Sequence, residues 1–448
     1  MSPTSSAPGP QEHFDLDAND ESLPLLQALV RRHGDTFAVP SVSRPGGGLV
    51  INDPDDIRRV LLTNRANYMK GAGLERVRIL LGTGLITSDG EFWTRQRRMV
   101  QPVFTGNANR AVMPLVQNLN DGLIERWAAI ADTGETIDLT EELSALALDV
   151  VLRALFGHDF DCLLQAEGGN PFELLTRESR RDLQFAARFR ALTRHVQAII
   201  ELRRQSGRVE SGWLSMLMRA RDQHSGEPMS DRALIDEVMT LIVAGHETTA
   251  STLNWTWYLL SQHPHVEAAL HAAVARTVSG DDHATDDAGE ASAPGTPGFV
   301  EQVLQEALRL YPPVWLFSRR ALQDDTLGGY RVPAGTDIFI CPYLLHRSQA
   351  HWDRPEEFLP GRFTPASAAG RHPFAFLPFS AGPRFCVGAG FAMAEMAMHL
   401  AAVAKRFSLQ YVGPVPAEPS FQINLRTRHP LRMRLASLTK AAHAIPHT

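Results

Sequence analysis

Cysteine is nearly missing from this chain: three in 448 residues, Cys162, Cys341 and Cys386, with no C-x-x-C pair among them. So sparse a set excludes a disulfide framework and a cysteine-built zinc site, and it suits a reducing compartment. No run of 18 apolar residues occurs, and the richest stretch, Leu143 to Phe156, is broken by Asp149 and Arg153. No membrane anchor is therefore expected. Long basic blocks are absent too: 44 Lys and Arg against 50 Asp and Glu leave a net charge of −6, which speaks against a nucleic-acid partner. The first ten residues hold Ser and Pro but neither a charged n-region nor an apolar h-region, so no secretory signal is read there. Gly and Pro, 33 and 29, are ordinary and exclude collagen-like and low-complexity classes. A globular protein of the cytoplasm is the expectation.

What is present is mostly helical. Residues 1–20 and 439–448 read as loose tails around one domain, 21–438. Leu23 to Arg32 reads as a helix, and Thr36 to Val42 with Leu49 to Asn52 as a strand pair. Pro54 opens a helix through Leu62. Apolar residues then recur at spacings of three and four to about residue 275. The clearest element runs from a Ser230 cap to about His263; at 1.5 Å per residue it is ~50 Å long and can cross the molecule. It is apolar on several faces and belongs inside. Residues 279–298 are acidic and rich in Gly, Ala and Pro, an exposed loop. Phe299 to Leu310 is helical, and Gly329–Val332 with Asp337–Tyr343 reads as a β-hairpin. The fold class is mainly α with small β-sheets.

The segment that carries chemistry is Phe379-Ser380-Ala381-Gly382-Pro383-Arg384-Phe385-Cys386-Val387-Gly388, followed by an apolar helical pattern to about Lys405. Alone, Cys386 reads as an inert buried thiol. Its setting says otherwise. Gly382 and Gly388 clear side chains where a loop passes close to a flat ring. The helix that follows offers free N–H groups that favour a thiolate. Arg384 stands two residues away, placed to pair with an anion on the same group.

F-x-x-G-x-R-x-C-x-G, filled by Phe379, Gly382, Arg384, Cys386 and Gly388, resembles the haem-binding loop of the cytochrome P-450 monooxygenases. Three further matches follow in the family's order and carry the resemblance from about residue 20 to 436. Glu306-Ala307-Leu308-Arg309 resembles the family's E-x-x-R. Three apart on a helix, the two charges can pair, and alone they read as a solvated surface pair. The resemblance implies instead a buried triad completed by Arg362, a structural support. Ala244-Gly245-His246-Glu247-Thr248-Thr249, midway along the long helix, resembles the oxygen-binding groove; the plainer reading is close packing at Gly245 and a threonine bonded to its own helix. Trp93-Thr94-Arg95-Gln96-Arg97 resembles W-x-x-x-R.

The resemblance implies a P-450 fold with haem b between the long helix and the cysteine loop, Cys386 as the iron's thiolate ligand, and O2 as co-substrate. Phe379, Gly388 and Ala244 would border the haem. Arg384, Trp93, Arg97 and Arg320 would reach its propionates, Arg320 being preferred over Arg319. Glu247 and Thr248 would be the catalytic pair, because two protons must enter a dry pocket. His346 is given a structural hydrogen bond, and His246 no ligand role. By family analogy the substrate pocket is lined by Leu74, Val77, Phe185 and Leu241, and by Val314, Trp315, Leu316, Phe317 and Ile423. That set is apolar, so a lipophilic substrate is implied, terpenoid, steroid or fatty-acid-like. Electrons would come from a separate ferredoxin or flavodoxin and an NAD(P)H-dependent reductase, to a monomer. Arg95, Arg98, Lys405 and Arg406 are candidates for a basic docking face. The alternative, a haem-thiolate peroxygenase or isomerase or a haem-binding sensor, would have no use for the Glu247–Thr248 pair.

Overall fold

The computed structural model describes residues 6–177, 183–206, 212–276 and 298–438. Its axis is the helix Asp231–Gln262. The Ser230 hydroxyl accepts the Ala233 N–H at 3.2 Å, a side-chain cap on the first turn. Gly245 does not break this long helix. A Cβ there would lie 2.9 Å from Val151 of the helix Leu139–Phe156, so glycine lets the two helices close together. One apolar cluster joins Leu26, Trp127, Leu260, Leu304, Leu400 and Leu435, so segments on both sides of the acidic stretch share one core. That stretch, apart from Gly298, and the 439–448 tail lie outside the described residues.

The main sheet has strands β1 Thr36–Val39, β2 Gly48–Ile51, β3 Tyr68–Lys70, β4 Phe317–Ala321 and β5 Asp337–Ile340, in spatial order β1-β2-β5-β4-β3. β1 and β2 form the expected antiparallel pair. The expected hairpin of Gly329–Val332 with Asp337–Tyr343 is corrected. Tyr330–Val332 folds back on Asp325–Leu327 through Gly328 and Gly329, both at positive φ, the conformation a two-residue turn needs. β5 instead runs between β2 and β4, because Ile338, Phe339 and Ile340 are all buried and need neighbours on both edges. The helix from Pro54 ends at Arg58 and continues as a π-turn, Arg59–Thr63.

The loose tail expected for 1–20 is also corrected where it is described. Pro8 accepts the Ala38 N–H at 2.7 Å and Pro40 accepts the Phe14 N–H at 2.9 Å. Leu16 is buried, and Asp20 accepts the Phe421 N–H at 2.6 Å. Residues 6–20 thus lie along the β1 side of the sheet and cover part of an edge that would otherwise offer free backbone groups.

Candidate active site

The cysteine loop is closed by its own backbone before the helix Ala389–Ala404 begins. The Cys386 N–H donates to the Phe379 carbonyl and the Phe385 N–H to the Gly382 carbonyl, both at 3.0 Å. Gly382 has φ +67°, and a Cβ there would fall 2.0 Å from the Leu61 carbonyl oxygen. Within the protein its close approach is to the Leu61 backbone. Gly388 caps the helix and has ordinary backbone, and a Cβ there would meet Phe104 at ordinary contact distance, 3.6 Å. Burial pushes the Cys386 thiol up, against the pull of the Gly388 and Ala389 N–H groups and the Arg97 charge. Yet the residue has free surface. Cys341, by contrast, is fully buried with its thiol pushed up to about 12.

Behind the loop lies the charge triad, and it is no surface pair. Glu306 and Arg309 are both fully buried and joined twice, Nε to Oε2 at 2.7 Å and Nη2 to Oε1 at 2.8 Å. Arg362 Nε and the Leu359 N–H add bonds to Glu306 Oε1 at 3.1 and 2.9 Å. Arg309 spends its remaining N–H groups on the carbonyls of His346, Pro355 and Glu357. His346 passes this order to the cysteine loop. Burial drops its pKa to about 3, so it is neutral; Nδ1 lies 3.3 Å from the Arg309 carbonyl, and Nε2 accepts the Leu377 N–H at 2.8 Å.

The opposite wall is the middle of the long helix. Its residues are buried from Ala233 to Ile242 and from Thr249 to Leu260, but Val243, Ala244, Gly245, Glu247 and Thr248 are only partly so. Leu241, Ala244 and Thr248, spaced by three and four, share one face. Thr248 Oγ1 donates to the Ala244 carbonyl at 2.9 Å. Glu247 Oε1 lies 3.9 Å from Arg426 Nη1. Arg426 belongs to the strand Leu425–Thr427, which Ser251 fastens to the helix by donating to the Leu425 carbonyl at 2.6 Å. His246 is buried, with Nδ1 against the Ile242 carbonyl at 2.7 Å.

At the edge stands a cluster of cations. Trp93 and Arg97 lie four apart on the helix Gly90–Val100, and the Arg384 guanidinium sits 4.2 Å over the Trp93 ring. Arg384 also pairs with Asp89 and donates to the Ser88 carbonyl at 3.2 Å. In β4 the choice of Arg320 is corrected. Neighbouring strand residues point to opposite faces. Arg320 turns outward onto Asp337, with two bonds of 2.9 Å, whereas Arg319 is 6% exposed and faces Lys70 in register across β3. Arg319 holds only the Ser318 carbonyl and the Phe317 ring. Among the described residues, Lys70, Arg97 and Arg319 have no carboxylate within ion-pair distance. Burial pushes Lys70 well below its usual value, with Arg319 and Arg384 adding to the effect; it takes Arg319 down to about 10 and lowers Arg97. Lys70 and Asp89 escaped the sequence reading. The one signal for Asp89 is its place as the N-cap of the Trp93 helix.

The pocket residues divide. Leu74, Val77 and Phe317 are partly exposed, and Val314 and Ile423 largely so. Leu241 and Leu316 are buried at the margin. Phe185 is packed against Phe189 in a buried cluster. Trp315 is corrected: it is wholly buried, its ring against Phe421 and its Nε1 donating to the Gln422 carbonyl at 2.7 Å, which makes it core. Arg95 and Arg98 are drawn to Asp222 at 3.8 and 3.7 Å, leaving Lys405 and Arg406 as the exposed part of the suggested basic face.

An exposed cysteine, a threonine-bearing helix face and three cations that, among the described residues, have no carboxylate within ion-pair distance, the half-buried Lys70 and Arg97 and the buried Arg319, fit a haem and its two propionates. A family model described as Cytochrome P450 matches residues 11–170 and 169–434. The chain is 35% identical over 400 residues to cyclooctatin synthase of Streptomyces melanosporofaciens, spanning 85% of this chain and 84% of that one. It is 32% identical over 448 residues to cyclooctat-9-en-7-ol 5-monooxygenase of the same organism, spanning 93% and 94%. Among solved structures, the heme domain of cytochrome P450DA matches with a TM-score of 0.79 at 25% identity, covering 97% of this chain and 98% of that one.

Proposed function

The chain belongs to the cytochrome P450 family and is a haem-thiolate monooxygenase, inserting one oxygen atom of O2 into a C–H bond of a lipophilic small molecule; we propose that its substrate is a terpenoid and that Cys386, Glu247 and Thr248 carry the chemistry. The observation that carries the site assignment is that Cys386 keeps exposed surface at the start of the helix Ala389–Ala404, within reach of the Arg97 charge. Arg97, Arg319, Lys70 and Arg384 would hold the propionates. Haem on a thiolate supplies O2 activation and C–H oxidation.

The protein's share is placement and protons. Thr248 Oγ1–H, now spent on the Ala244 carbonyl, can turn toward the haem site and hold a proton at that oxygen. Glu247 brings protons to it from the side where Arg426 stands. Leu74, Val77, Val314, Phe317 and Ile423 offer the apolar surface that keeps water out and takes a hydrocarbon skeleton. The terpenoid reading is supported by the two relatives' names, one of which states an unsaturated alcohol as the compound oxidised. Electrons come from a separate ferredoxin or flavodoxin and its NAD(P)H-dependent reductase, received near Lys405 and Arg406. Among the described residues no helix is long and apolar enough to cross a membrane, in keeping with a place in the cytoplasm.

A spin-state titration against terpenoids, steroids and fatty acids tests the substrate, with product identification by mass spectrometry. Terpenoids should bind and gain one oxygen; turnover of fatty acids with none of terpenoids contradicts the reading. Thr248→Ala should leave haem content intact and cut product per electron pair ~10-fold or more. Unchanged coupling removes Thr248 from the proton path.

A further inference from the structure

Glu237 is a fully buried acid that the chemistry above does not use. It lies on the long helix, two turns before Ala244, where three elements meet. Its Oε2 accepts the Leu85 N–H and its Oε1 accepts Gln96 Nε2, both at 3.1 Å. Leu85 belongs to the 82–89 loop, and Gln96 is next to Arg97 on the Trp93 helix. Asp236 fastens the same loop by accepting the Thr83 N–H at 2.8 Å. The fit is close: a Cβ on Gly84 would sit 2.1 Å from Thr240 Oγ1. At its far end the loop holds Ser88 and Asp89, which grip Arg384. The loop therefore spans from the distal helix to the cation cluster.

We propose that Glu237 is a positioning residue that seats the 82–89 loop over the distal pocket while neutral, and that its ionisation releases the loop and opens the pocket to substrate. This rests on the pocket being the substrate site. Two observations favour the neutral form as the seated one. Glu237 is wholly buried and, among the described residues, no cation pairs with it, so a charge there would go uncompensated. Burial also pushes the Glu237 carboxyl up to about 7, outweighing the Leu85 and Gln96 donors, which favour its charged form. Of the charged groups facing it, Asp236 raises it further and is itself paired with Arg232 at 3.0 Å; the loop and the Trp93 helix present only Leu85 and the neutral Gln96. A released, hydrated Glu237 returns to the ordinary 4.5. The seated state thus binds the proton more tightly. Its hold is complete below 4.5, weakens ~10-fold per pH unit up to about 7, and is level above that.

Hydrogen exchange on the haem-loaded protein without substrate tests this, between pH 5 and 8. Amides of residues 82–89, corrected for intrinsic rates, should open ~10-fold more per unit up to about pH 7 and then level off. The helix Phe299–Leu310 should show no such slope. In Glu237→Gln the loop should stay seated at every pH, because the amide can bond Leu85 and Gln96 without charge. A flat wild-type profile overturns the proposal by itself, even if the variant fails to load haem. An unchanged slope in the variant overturns it too. No turnover is read, so a wrong substrate class leaves both outcomes standing.

Discussion

Two charge clusters, one buried and one half-buried, flank the proposed haem site, and they are built on opposite principles. Behind the cysteine loop, Glu306, Arg309, Arg362 and His346 answer almost every donor with an acceptor from the protein itself. At the edge, the half-buried Lys70 and Arg97 and the buried Arg319 have no carboxylate within ion-pair distance among the described residues, and Asp89, which pairs with Arg384, is the one carboxylate that acts on Lys70 and Arg319. The first cluster is complete and acts as scaffold. The second has more cations than carboxylates, and under the proposed function a dianion would relieve it, since an uncompensated buried charge such as Arg319 is costly. A protein can thus store part of its cofactor affinity as instability of its own edge.

Breaking the complete cluster should cost most. Glu306→Ala leaves two guanidinium groups unpaired and should lower stability by ~3–5 kcal/mol in denaturant titration. A loss under ~1 kcal/mol would place the pair with ordinary surface pairs and erase the contrast. The incomplete cluster should respond in the opposite sense. Arg319→Leu removes a lone buried cation, so the haem-free protein should keep its stability while haem transfer to an acceptor protein quickens ~10- to 100-fold. Arg320→Leu should do the reverse: it strips buried Asp337 of its double bond, costing roughly 1–3 kcal/mol, with haem release changed little. Equal haem loss in both variants would refute the assignment of faces.

The smallest effect concerns protons. Lys70 in the haem-free protein gives up its proton well below the ordinary 10.5. In the window between, the unfolded chain binds more protons, so the haem-free protein gains stability as pH rises. Propionates restore the charge, so haem loading takes up protons there and affinity falls with rising pH. Proton release and uptake measured on loading should show this, and Lys70→Met should abolish it.

Local spacing explains what could be read from the sequence. The cysteine loop, E-x-x-R, W-x-x-x-R and the capped long helix each lie within a few turns of chain, where residue spacing alone decides which side chains share a face. The misreadings all depend on distant partners. Arg319 and Arg320 are the same residue type side by side, and only pairing with β3 and β5 decides which one faces inward. β5 looked like half of a hairpin because its true neighbours, β2 and β4, are not both adjacent in sequence. Residues 6–20 have the composition of a tail and are ordered by the sheet they touch. Trp315 looked like pocket because it lies among pocket residues, yet Phe421 and Gln422 claim it for the core. Lys70 meets Arg319 only through the fold.

The proposed bond from Cys386 to iron is open to direct measurement. The ferrous–CO spectrum of the purified protein reads it: wild type should show the strongly red-shifted Soret band of a thiolate ligand, and Cys386→Ser should lose that shift together with activity. A wild-type spectrum without the shift, or a serine variant that keeps it, would contradict the account.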